Sequence, residues 1–153
     1  MKLGDVLRKE RERKTFGVEK TAARLELPVE EYRALEDGSS PIEQWGPWLA
    51  QIAITLGTPT SRLISETGKS VSRGDVQCGS LIRTHRERRA LGQEELARGA
   101  GVAASELESI EAGRSPLEVY GPALLRFAEL IEQPIFNLFY PCGLPLHELQ
   151  DYP

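Results

Sequence analysis

The chain repeats itself. Shifted by 75 residues, it aligns on its own second half without a gap: Gly4 falls on Gly79, Arg8 on Arg83, and Arg11-Glu12-Arg13 on Arg86-Glu87-Arg88. Gly17, Glu19 and Ala22 fall on Gly92, Glu94 and Ala97, and Glu31, Glu36 and Gly38 on Glu106, Glu111 and Gly113. Further on, Ser40-Pro41 and Gly46-Pro47 meet Ser115-Pro116 and Gly121-Pro122, while Leu49, Ala53, Pro59 and Leu63 meet Leu124, Ala128, Pro134 and Leu138. Such self-similarity restricts the fold to two copies of one small unit. The copies span residues 1–64 and 78–141. Residues 65–77 between them are rich in Ser, Gly and charge and read as a polar linker. The tail 142–153 carries two prolines and reads as irregular.

The apolar spacing within each copy is helical, without strand alternation. Leu3, Val6 and Leu7 share one face of a first helix, as do Cys78, Leu81, Ile82 and His85 in the second copy. Gly17 and Gly92 are expected to end that helix. A second helix follows at 18–25 or 93–100, then a turn at Glu26-Leu27 or Gly101-Val102. A third helix is expected at 28–36 or 103–111, with Pro28 at a first helical position and Gly38 or Gly113 closing it. The last helix is expected to begin near Pro47 or Pro122 and to stop before Pro59 or Pro134. The fold class is thus all-α, with four to five short helices per copy. Ala97 and Ala22 are small where two helices cross closely. Leu107 and Ile110, or Tyr32 and Leu35, form the buried face of the third helix.

Within the second copy, Gln93-Glu94-Glu95-Leu96-Ala97, Ala100-Gly101-Val102, Leu107, Ile110-Glu111-Ala112-Gly113 and Pro116 closely resemble the XRE family. That is the helix-turn-helix class that includes lambda-type repressors and Cro. The resemblance covers about sixty residues of copy two, and reaches copy one chiefly through the repeat. It implies two tandem lambda-repressor-like bundles. It also implies that Arg11 with Glu36, and Arg86 with Glu111, form ion pairs tying the first helix to the end of the third. One departure stands out: both copies carry about three extra residues before the final helix, around Trp45 and Tyr120, so that helix is expected to be shortened or remade.

In a family of this kind the third helix enters the major groove and the start of the second touches a phosphate. Carried over residue by residue, the base-facing positions of copy two are Ala104, Ser105, Glu106 and Ser109. Gln93 opens the second helix, Arg114 and Ser115 follow the third, and Arg88, Arg89 and Arg98 are candidate phosphate partners. The same positions in copy one are Val29, Glu30, Glu31 and Ala34, with Val18 before them and Asp37, Ser39 and Ser40 after. Carboxylates repel phosphates, which supply most of the affinity for DNA. Copy two is therefore expected to be the better reader. The charge balance weighs the same way, since residues 1–64 hold ten basic and ten acidic side chains and residues 78–141 seven and nine.

The final helices hold more apolar residues than a one-sided stripe requires. Trp48, Ile54, Leu125, Leu130, Phe136 and Phe139 are the surplus, read as an interface between the copies, as a surface for a second chain or another protein, or as a large local core. Cys78 aligns with Leu3 and reads as a small core residue; two cysteines without neighbouring histidines form no zinc site. His85 reads as a half-buried packing residue. No Gly-rich phosphate loop and no nucleophile with a nearby base is visible, so neither an enzyme nor a cofactor or metal is expected. No apolar run of about eighteen residues exists to cross a membrane. Met1-Lys2-Leu3-Gly4-Asp5 leads into charge rather than an apolar run, so a cytoplasmic protein is expected. Two functions remain: a transcriptional regulator binding double-stranded DNA through tandem helix-turn-helix units, or a protein-interaction adaptor that keeps the fold with acidic third helices.

Overall fold

The structure, a computed structural model, describes residues 1–70 and 77–143; residues 71–76 of the expected linker and nearly all of the expected tail, with His147, lie outside the described residues. Helix α1 spans Leu3–Arg13, α2 Val18–Arg24, α3 Val29–Asp37 and α4 Ile42–Leu56, followed by a 3-10 turn at Thr60–Leu63. The second half repeats the order with α5 (Cys78–Arg88), α6 (Gln93–Ala100), α7 (Ala104–Glu111), α8 (Leu117–Leu130) and the short α9 (Phe136–Phe139), and then a 3-10 turn at Tyr140–Cys142. Among the described residues there is no strand, so the chain is all-α.

Helix ends explain two departures from the sequence expectations. Gly17 and Gly92 do not end the first helices. The left-handed residues there are Thr15 (φ 59°) and Ala90 (φ 54°), and the glycines are extended (φ −80° and −78°) at the N-caps of α2 and α6. The reversal of the chain falls two residues earlier than expected, and a small residue is well tolerated at the cap that follows.

The final helices are not shortened. They start at Ile42 and Leu117, five residues ahead of Pro47 and Pro122, and run for 15 and 14 residues. A proline inside a helix removes one hydrogen bond and pushes its predecessor out of the α region. Here each predecessor is glycine, Gly46 or Gly121, which lacks the Cβ that creates most of that clash. The extra residues of both copies thus become the first turn of a longer helix.

The halves pack into one body. Helix α4 lies against both α6 and α8. The end of each half also reaches into the other: the turn at Thr60–Leu63 packs on α5, and α9 packs on α1 and α4. The same 75-residue shift relates these exchanges. Phe139 sits so close to Gly46 that a Cβ there would come within 2.8 Å of its Cε1, and Ile64 sits 3.7 Å from the equivalent point on Gly121. Ile64 and Phe139 are both fully buried, and the buried apolar residues of the two halves form one cluster. Burying one such side chain contributes about 1.5–3 kcal/mol, so these exchanged residues bind the halves strongly.

This packing absorbs much of the apolar surplus. Leu125, Phe136 and Phe139, candidates for contact with another chain, are buried inside this one, while Trp48, Ile54 and Leu130 are half-buried against the same core. Trp48 meets Trp45 edge to face with ring centroids 5.1 Å apart. Cys78 is fully buried beside α8, and both cysteines are free thiols.

Candidate nucleic-acid interface

In the second half, α6 is held at its start by Glu95, whose Oε1 accepts from Gly92 N–H at 3.1 Å. Leu96, Ala97 and Ala100 bury its inner face. Gly101 (φ 73°) reverses the chain, and Val102 N–H donates to Ala97 O at 3.0 Å, which seats Val102 in the core. Helix α7 then buries Leu107, Ile110 and Glu111. A helix–turn–helix corner follows from this sequence: a small residue at the crossing, a left-handed glycine at the turn and an apolar anchor after it.

First helix and corner are locked together by charge. Arg86 grips Glu111 with two parallel bonds, Nε to Oε2 at 2.7 Å and Nη2 to Oε1 at 2.9 Å, while Nη1 donates to Leu91 O at 2.8 Å. Arg83 donates to Glu111 O at 3.1 Å. Two-point pairing fixes orientation as well as supplying energy. The Glu111 side chain has no solvent exposure. Burial pushes its carboxyl up, but the bonds from Arg86 and Gln93 and the charges of Arg86 and Arg83 outweigh that, and it lies below the ordinary carboxylate value. The first half repeats the lock: Arg11 Nε and Nη2 meet Glu36 at 2.5 and 3.0 Å, and Nη1 donates to Phe16 O at 2.9 Å.

The two first helices pass directly over the ends of the third. A Cβ at Gly4 would lie 2.5 Å from both Leu35 O and Glu36 O, and one at Gly79 would collide with Ile110 O. Their free N-termini are capped by a carboxylate from the final helix. Glu43 accepts from Leu3 N–H at 2.6 Å and Gly4 N–H at 3.1 Å, and Glu118 accepts from Gly79 N–H at 2.7 Å. Sequence reasoning missed this role, although Glu43 falls on Glu118 under the 75-residue shift.

The residues expected to face DNA divide into two groups. Ala104 and Ser105 are exposed at the start of α7, with Glu106 and Ser109 half-buried beside them. Arg88, Arg98 and Arg114 are exposed as well, and none forms an ion pair among the described residues. The other group is engaged within the protein. Ser115 is buried and its Oγ accepts from Leu117 N–H at 3.2 Å, so it caps α8 rather than facing a phosphate. Arg89 Nε donates to Leu56 O at 2.6 Å, satisfying the C-terminus of α4 in the other half. Gln93 donates to Glu111 Oε1 at 3.1 Å.

The equivalent face of the first half is engaged in part, although Glu30 stays exposed. Glu31 on α3 accepts from the Tyr120 hydroxyl of α8 at 2.9 Å. Glu26, in the left-handed position (φ 58°) where the second half has Gly101, pairs with Arg126 at 3.1 Å. Asp37 accepts from Ser39 N–H and Oγ at 2.9 and 2.6 Å, and Ser40 is buried beside Ile42 N–H.

Among the described residues no helix is long and apolar enough to cross a membrane. No curated protein and no solved structure matches the chain. Residues 77–134 match the model of a helix-turn-helix domain family, and this likeness, which covers α5 to α8, supports a DNA-binding regulator.

Proposed function

We propose that the chain is a cytoplasmic, sequence-specific DNA-binding regulator of the XRE type, built from two tandem helix-turn-helix units of which the second reads DNA. The observation that carries this reading is the contrast between the two third helices. The start of α7 is exposed at Ala104 and Ser105, and Arg88, Arg98 and Arg114 of the same half are exposed and form no ion pair among the described residues, whereas α3 is joined to α8 through Glu31 and Tyr120. In this reading Ser105 and Ser109 meet base edges, Glu106 accepts from cytosine, Arg88, Arg98 and Arg114 meet phosphates, and each chain offers one reading helix. A second reading, a protein-interaction adaptor, is favoured by the exposed acids Glu30 and Glu108 on the third helices.

Fluorescence anisotropy against a pool of random duplexes, at low and moderate salt, separates the two. The regulator is expected to bind with a steep salt slope, and R114A is expected to weaken binding across all sequences and lower the slope by about one. S105A is expected instead to change the site selected from the pool. Absence of binding at low salt would overturn the regulator in favour of the adaptor.

A further inference from the structure

The halves meet at two seams that the 75-residue shift exchanges, α6 against α4 and α2 against α8. The first is closed: a Cβ at Gly99 would stand 2.8 Å from Thr55 Cγ2. At the second, Arg24 and Leu130 take the places of Gly99 and Thr55. There a cavity of about 180 Å³ opens beside Phe16, Lys20, Arg24 and Leu130. Past Arg24 and Leu130 lies a further 250 Å³ beside Ser70, Arg126 and Glu129. The two seams are not packed alike: α6 lies along α4, whereas α2 meets α8 over only a short stretch, and the groove opens where the helices part.

Its chemistry is uneven. Half-buried Phe16 and Leu130, the latter packed on the core, give an apolar wall at one side. Of the charged groups, Arg126 pairs with Glu26 at 3.1 Å, and Glu129 accepts from the N–H and hydroxyl of Ser70 at 2.9 and 2.5 Å. Lys20 and Arg24 form no ion pair among the described residues. Glu129 keeps its negative charge, since its partners are neutral, so among the described residues Lys20 and Arg24 leave the groove with a net positive charge, concentrated at the end beside Phe16 and away from Glu129. A guanidinium fork suits a planar carboxylate, and a neutral ligand would leave it without a counter-charge. We propose that the α2–α8 groove binds a small carboxylate with an apolar body, the carboxylate on Arg24 and Lys20 and the body against Phe16 and Leu130. Bound there, it braces α8 against α2 and so stabilises the contact between the halves. The proposal does not depend on DNA binding.

Titration of the full chain with phenylacetate, followed by calorimetry and by backbone amide shifts, tests it, with phenylacetamide as the neutral control. Saturable binding is expected, with shifts centred on Lys20, Arg24 and Leu130, and the amide is expected to bind about tenfold more weakly or worse. The surface variant K20A/R24A is expected to lose binding by a similar factor while melting like the parent. No saturable binding, equal binding of acid and amide, or shifts centred elsewhere would each overturn the proposal. The acid-to-amide comparison on the unmodified chain decides the matter even if the variant does not fold.

Discussion

Tyr120 and Glu31 are 89 residues apart, yet the tyrosine hydroxyl donates to the carboxylate at 2.9 Å, joining the last long helix to the third helix of the other half. The bond takes the side chain that would lead an acidic helix toward a groove and turns it onto a partner within the chain. Y120F removes it without changing shape. The bond is half-buried, so a loss of about 0.5–1.5 kcal/mol in urea unfolding is expected. The same substitution in an E31Q background is expected to cost less, and equal costs in the two backgrounds would show that the pair is not coupled.

Gly79 and Gly92 are both glycines near the start of a helix, but they differ sharply in surroundings. A Cβ at Gly79 would collide with Ile110 O, whereas the nearest atom to one at Gly92 is Glu95 Oε1 at 3.4 Å. Gly79→Ala is expected to cost about 3 kcal/mol or more, because the obstacle is backbone. Gly92→Ala is expected to cost no more than about 1 kcal/mol, the loss of a favoured cap residue. Comparable melting temperatures for the two variants would contradict the close crossing of α5 over α7.

Glu111 ties stability to pH. Its carboxyl lies below the ordinary value near 4.5 despite burial, because Arg86 and Gln93 bond to it. Its contribution is therefore complete above the unfolded value and is lost as pH falls through the lower folded value. Unfolding measured between neutral pH and strong acid should show stability falling below about pH 4.3. E111Q should flatten that fall and cost about 3–5 kcal/mol at neutral pH, by leaving Arg86 without its counter-charge.

The two thiols should react at very different rates. Cys78 is fully buried, and burial pushes its thiol far up; Cys142 is half-buried, with its thiol pushed up to about 11 by burial and by Glu43. A thiol reagent at neutral pH is expected to modify Cys142 slowly and to leave Cys78 untouched until the chain unfolds. Equal labelling of both in the folded state would contradict the packing of α5.

A fragment of residues 78–143 should not fold as the full chain does. It would lose Ile64 beside Gly121, Leu56 O as the acceptor for Arg89, and α4 as the surface against α6. A broad, weakly cooperative melt is expected by circular dichroism. A sharp melt matching the full chain would show that the second half is self-sufficient.

The sequence alone determined the number and order of the main helices, though not all of their ends. Helical periodicity placed the helices, and the family resemblance, carried to the first copy by the repeat, implied the Arg11–Glu36 and Arg86–Glu111 pairs. Those features are legible because each depends on a few residues within one half. The extent of α4 and α8 was not, since Pro47 and Pro122 read as helix starts until the glycine before each is considered with the packing that holds the longer helix. Nor was the fate of Ser115, Arg89 and Glu31, whose partners are a helix end, a carbonyl in the other half and a tyrosine on a distant helix. Only the tertiary structure decided those, because which polar group is left facing water depends on how the halves dock. Docking is set by the shapes of whole helix faces, such as Gly99 on Thr55 against Arg24 near Leu130, and such a difference is invisible in a pattern that treats the two copies as equal.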